Sequence, residues 1–131
     1  MKSICLALFL TTLPALALAD PAGTYDVRGR NADGNEYTGT VRVERNGETY
    51  NVAWNIGGTE FIGTGLGARF EGDRFVMGPA SPDDTAISVG YISGQSFGMA
   101  MYFQQPDGQW HGVWTYGGSD KAAPESWQPA N

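Results

Sequence analysis

Apolar and polar side chains alternate in short runs along most of this chain, and each run stops at turn chemistry. Residues 50 to 56 set Tyr50, Val52, Trp54 and Ile56 against Asn51, Ala53 and Asn55. A period of two lines up one face of a strand, so such a run buries one side of a sheet and wets the other. Runs of this kind span Thr24 to Arg30, Glu36 to Glu44, Glu48 to Ile56, Thr85 to Tyr91, Phe97 to Phe103 and Gln109 to Tyr116. Weaker ones cover Thr59 to Leu66 and Arg74 to Met77. Asn46-Gly47, Gly57-Gly58, Ser93-Gly94 and Pro106-Asp107-Gly108 separate them. Asn-Gly is a strong hairpin signal, because both central residues of a type I′ turn need positive φ. No helical period longer than a turn interrupts the series. The expected fold class is all-β, an antiparallel meander of about eight strands closed into a small up-and-down β-barrel, which removes exposed edges. A two-sheet sandwich is the alternative.

The beginning of the chain obeys different rules. Lys2 precedes an almost wholly apolar stretch from Ile4 to Leu18, and Ala17-Leu18-Ala19 supplies small residues at a cleavage position. That order is the one of a secretory signal, and the stretch is short for a membrane span, which needs about 20 residues. The expected organisation is a signal peptide over 1–19, a single β domain over 20–118 and a polar tail over 119–131, anchored at most by Trp127. The expected location is the periplasm or the extracellular space. Cys5, the only cysteine, leaves with the signal, so the mature domain holds no disulfide and has no thiol for catalysis. The formal net charge of −6 argues against nucleic acid or an anionic membrane as partner.

Aromatic residues mark the candidate site. Tyr50 and Trp54 share one strand face, and Trp110, Trp114 and Tyr116 share another. These five are the candidate ligand-binding residues, lining a cavity or surface for a small apolar or aromatic ligand. The alternative is that their rings simply fill the barrel, whose interior at about eight strands is only just wide enough for side chains or one small ligand. Gly112 lies between Trp110 and Trp114 and leaves room for rings, as Gly39 does between Tyr37 and Val41. A shift of 60 residues sets Tyr50 on Trp110, Trp54 on Trp114, Gly57-Gly58 on Gly117-Gly118, Tyr37 on Phe97 and Val41 on Met101. The pattern suggests a duplicated hairpin.

Catalytic signals are sparse. His111, the only histidine, alternates away from Trp110 toward solvent and lacks partners for a zinc site. Asp83-Asp84, Glu71 with Asp73, and the acidic and amide residues from Asn31 to Glu36 read as solvated turn residues, without EF-hand spacing. No catalytic residue, metal site or cofactor is expected, and the protein is expected not to be an enzyme.

Several segments together carry a resemblance: Gly23-Thr24-Tyr25-Asp26-Val27, Tyr37-Thr38-Gly39-Thr40-Val41-Arg42-Val43, Tyr50 to Trp54, and Phe61-Ile62-Gly63-Thr64-Gly65-Leu66. So does Gly108 to Trp114, followed at a distance by Glu125. The chain resembles a set of small exported bacterial β-rich proteins with Tyr-x-Gly and Gly-x-Trp hairpins, often labelled hypothetical or "fibronectin-binding protein". That label implies adhesion to host matrix. Shorter pieces, the Gly-Thr-Tyr opening and the tryptophan-bearing strands, are similar to avidin-like barrels. Two functions follow as expectations: a non-enzymatic exported binding barrel for a small ligand, or a protein-directed module, an adhesin or exported enzyme inhibitor, acting on an extracellular protein through loops such as Pro79 to Asp84. N-terminal sequencing of exported protein is expected to start at Asp20; recovery of an intact Met1 would refute the processing.

Overall fold

The computed structural model describes residues 19–130; of the expected signal segment over 1–19, all but Ala19 lies outside the described residues. Among the described residues there are nine strands and no helix: β1 (Gly23–Arg30), β2 (Glu36–Asn46), β3 (Thr49–Ile56), β4 (Thr59–Glu71), β5 (Arg74–Gly78), β6 (Ala86–Ser93), β7 (Ser96–Gln104), β8 (Trp110–Tyr116) and β9 (Ala123–Pro129). Each pairs antiparallel with its neighbours in the sheet order β3-β2-β1-β9-β8-β7-β6-β4-β5, and a β3–β4 pairing closes the ring. Eight strands therefore form an up-and-down barrel, and β5 stands outside it on the end of β4. This is the expected all-β barrel, with one strand added.

The last barrel strand comes from the segment expected to be a polar tail. β9 lies between β1 and β8, with Val27 opposite Trp127 on one side and Trp110 opposite Trp127 on the other. Pro124 and Pro129 argue against a central strand because proline gives no ladder donor. Both sit near the ends of β9, where a missing donor removes little of the ladder. Ala123, Glu125 and Trp127 face inward, and Trp127 is fully buried. The domain thus runs through 129 rather than ending at 118.

Three further features depart from the sequence reading. β4 continues five residues past Leu66 to pair with β5, Gly67 facing Gly78 and Glu71 facing Arg74. On β7 the small residues Gly98 and Ala100 point inward with Tyr102, while Phe97, Met99, Met101 and Phe103 point out. Asp84 is not a solvated turn residue: it is completely buried.

The phase of β7 follows from how the interior is filled. The Tyr37 ring lies over Gly29, Tyr91 over Gly98 and Tyr102 over Gly112, each where a Cβ would stand. Aromatic side chains cover glycines on the inner wall, so a large residue at position 98 would displace Tyr91. The room expected over Gly112 for the tryptophans is taken by Tyr102, and Gly39 is closed off by the Asn55 carbonyl and Ile56. Tyr102 and Trp127, on the two strands flanking β8, lie in the core with ring centroids 3.9 Å apart and planes tilted by 30°.

The two barrel ends differ. At the end bearing the β2–β3 and β7–β8 turns, the loop from Pro79 to Thr85 and the chain before β1 fold over the opening. Asp84 accepts from the Tyr50 hydroxyl at 2.5 Å and the Ser81 N–H at 2.9 Å, and pairs with Arg69 at 3.4 Å. Tyr25 donates to the Pro21 carbonyl at 2.8 Å, and Asp20 pairs with Arg45 at 2.6 Å. That end is plugged.

Deleting residues 123–131 is expected to abolish cooperative urea unfolding, because it leaves β1 and β8 as open edges. Trp127→Ala is expected to cost about 3–5 kcal/mol, as for other buried large aromatics. A truncated chain that unfolds as cooperatively as the full one would contradict the role of β9.

Candidate functional site: an aromatic cavity over a buried carboxylate

The hairpin turns β1–β2, β3–β4 and β6–β7 and the β8–β9 connection gather at the other end of the barrel. There the inward residues near the strand ends leave a cavity of about 110 Å³. Its wall is a sequence of rings. Tyr37 meets Trp114 edge-on at 6.3 Å, Trp114 meets Tyr116 at 5.3 Å, and Tyr116 meets Tyr91 at 6.1 Å. Tyr91 then meets Trp54 at 5.6 Å and Phe61 at 6.3 Å. Edge-to-face contacts at these spacings are favourable beyond the area they bury, so the wall is pre-formed.

Glu125 also lines the cavity, only 6 % exposed. Its Oε1 accepts from Trp54 Nε1 at 2.9 Å, the Tyr102 hydroxyl at 2.8 Å and Trp127 Nε1 at 2.7 Å. Its Oε2 accepts from the Tyr37 hydroxyl at 2.5 Å. The two indole N–H groups can only donate, so Oε1 is held as an acceptor. Burial of a carboxylate is tolerable only with such donors. The buried Nε1 of Trp114, another wall residue, has no hydrogen-bond partner among the described residues.

The phenols around this carboxylate stay neutral. Burial, then the charge and hydrogen bond of Glu125, pushes Tyr37 far above the ordinary tyrosine value, and Tyr102 is raised for the same reasons. Tyr91 is raised by burial and by its neighbours Tyr116 and Glu125. The cavity groups are thus donors and ring faces.

Of the expected site residues, Trp54, Trp114 and Tyr116 line the cavity. Tyr50 belongs to the plugged end, bonded to Asp84. Trp110 is 1 % exposed and packs within the core beside Trp127. The shift-related pair Trp54 and Trp114 stands on strands four places apart in the eight-membered ring, so the two rings face the cavity from opposite sides. The repeat fails on β2 and β7: Val41 is buried and Met101 is exposed. His111 is exposed, beside Gln109. Among the described residues no group of His, Cys, Asp or Glu is placed to hold a metal ion.

Tyr37, Phe61, Tyr91, Tyr102 and above all Glu125 were outside the expected site. The signal for Glu125 is the alternation of Ala123, Glu125 and Trp127, an acid in phase with two apolar residues.

The raised phenols give a pH dependence of definite sign. A phenol whose folded value lies above its unfolded one binds more protons when folded, so stability falls as pH rises past the unfolded value of about 10. That stabilisation is fully present below about pH 10 and is lost as pH climbs through the folded values, which burial and the Asp20 charge put at about 12 for Tyr25. Phenolate absorbance in a pH titration is expected to show Tyr25, Tyr37, Tyr50, Tyr91 and Tyr102 ionising only well above the free residue, or together with unfolding. Ionisation of all tyrosines near pH 10 in folded protein would contradict the packing.

No protein-family model matches this chain, and no curated protein shows significant similarity to it.

Proposed function

We propose that this protein is a non-enzymatic exported binding protein that takes a small ligand into the open end of its barrel. The observation that carries the reading is the pre-formed aromatic cavity with one carboxylate at its base, at the only barrel end that its own loops leave unplugged among the described residues. Ligand sites collect in barrel mouths, with apolar walls and a few placed polar groups. The unpaired Trp114 N–H in the wall is a donor that a ligand acceptor can satisfy. Neutral phenols and a carboxylate already accepting four hydrogen bonds suit holding a molecule better than moving protons. The volume of about 110 Å³ is below the ~150 Å³ of a cavity that holds benzene, so it fits a small molecule or the head group of a larger one. Export rests on the amino-terminal signal pattern.

A second reading, a protein-directed module of the adhesin or inhibitor kind, has its own support. The outer faces of β4, β6 and β7 carry Ile62, Leu66, Ile92, Phe97, Met99 and Met101, all more than 40 % exposed. Beside them a groove of about 560 Å³ runs past Leu66, Phe75, Met77, Met101 and Phe103. Contiguous exposed apolar surface of this kind marks contact sites. No helix among the described residues is long and apolar enough to cross a membrane.

Tryptophan emission and thermal shift against a panel of amines, aromatic metabolites, sugars and lipids separate the two. A cavity ligand is expected to shift emission and to raise stability by about 2.7 kcal/mol at a hundredfold excess over Kd. Trp114→Ala, at a half-buried position, is expected to remain folded and lose the response. A panel without any hit, combined with capture of an extracellular protein, would displace the cavity reading.

A further inference from the structure

Among the described residues the barrel interior holds two buried acids, and only one of them has a counter-charge there. Asp84 at the plugged end, 0 % exposed, pairs with the Arg69 guanidinium at 3.4 Å. Glu125 at the open end takes part in no ion pair among the described residues, whose arginine pairs go to Asp20, Glu36, Glu44, Glu71 and Asp84. Its four donors are neutral phenols and indoles. They offset desolvation without cancelling the charge, and a buried unpaired charge is costly. The donors are also unequally shared: Oε1 accepts three and Oε2, beside Tyr37, accepts one. Room to accept therefore remains on Oε2.

Around this anion stand the faces and edges of Tyr37, Trp54, Tyr91, Trp114 and Tyr116. Aromatic faces attract cations through the ring quadrupole, most strongly where water is excluded, and several rings together form the cages that hold ammonium groups. Wall and base thus favour the same sign of ligand charge. An anionic ligand would meet Glu125 in a low-dielectric site and be repelled. A neutral apolar ligand would fit the rings but leave the carboxylate without a partner.

We infer that the cavity takes a small organic cation, its ammonium head seated among the rings above Glu125 and supplying the counter-charge that the fold withholds. This assignment rests on the small-ligand reading and narrows it to one chemical class. The volume of about 110 Å³ suits a head group of methylated-ammonium size, with any longer part of the molecule leaving through the open end.

The test compares charge at constant shape and size. Choline and its uncharged isostere 3,3-dimethylbutan-1-ol are titrated into the exported protein and followed by tryptophan emission and calorimetry. Choline is expected to bind at least about tenfold more tightly, with the emission change that ring contact produces. Equal or tighter binding of the neutral isostere would overturn the cation assignment while leaving the small-ligand reading intact. Failure of choline, tetramethylammonium and ethanolamine to bind at millimolar concentration would also overturn it, and a hit of another class in the wider panel would show that the cavity reading survives. Glu125→Gln keeps shape and an acceptor but removes the charge. In a variant shown to be folded by circular dichroism, the preference for choline over the isostere is expected to fall about tenfold, and an unchanged preference would refute the role of Glu125. If that variant does not fold, the choline-to-isostere comparison in the unaltered protein, and Trp114→Phe measured the same way for loss of affinity, still decide the question.

Discussion

One carboxylate ties the open end of the barrel together. Glu125 on β9 accepts from Tyr37 on β2, Trp54 on β3, Tyr102 on β7 and Trp127 on its own strand. The donors reach it from both sides of the ring, so the bonds cross the barrel interior instead of following the ladder. A hydrogen bond to a charged group is worth about 1.5–3 kcal/mol, and burying the carboxylate costs several. The network therefore contributes less to net stability than to uniqueness. A slip of β9 by one residue would turn Glu125 and Trp127 outward and bring Ser126 in. The three donors on the other strands, Tyr37, Trp54 and Tyr102, would then be buried without their acceptor. Closure of the barrel and formation of the cavity floor are the same event.

The sequence made the fold class legible and the closing strand illegible, for physical reasons that can be read at particular residues. Tyr50, Val52 and Trp54 alternate with polar residues and are buried as expected. There the rule that apolar residues face inward needs no help. Alternation fixes a period but not a phase, however. On β7 both sets of residues are apolar, and the choice fell to the set that leaves room for Tyr91 and Tyr102. On β9 the outward set is Pro124, Ser126 and Gln128, and the inward set includes an acid. Composition makes such a segment look like a tail, because its burial is supported by long-range donors that lie up to 88 positions away along the chain.

The candidate site was half legible for a related reason. Trp54 and Trp114 stood out by their repeated spacing, and they do face the cavity from opposite sides. Tyr50 and Trp110 carried the same spacing but sit nearer the other end of the same strands, where the barrel is plugged. Position along a strand decides which end of a barrel a side chain serves, and periodicity contains no information about that. Loop behaviour does. The loop from Pro79 to Thr85 folds inward because Asp84 finds Tyr50, Ser81 and Arg69 waiting. Gly67 is required there, since a Cβ would collide with the Asp84 carboxylate.

Departures from local satisfaction mean most where they coincide. Thr85 Oγ1 is buried and unpaired, but it stands apart from the cavity, and a single orphaned hydroxyl is unremarkable in a folded protein. At the open end three departures among the described residues share one small volume: a carboxylate without a counter-ion, an indole N–H without an acceptor, and space not filled by side chains. The rest of the core obeys the ordinary rules, with rings seated on glycines and Asp84 matched to Arg69. A sequence able to plug one end so completely is under no packing compulsion to leave the other end open and charged. Such local violations in an otherwise consistent fold are where function is to be sought, and each of these three is removed by a ligand that brings charge, an acceptor and volume together.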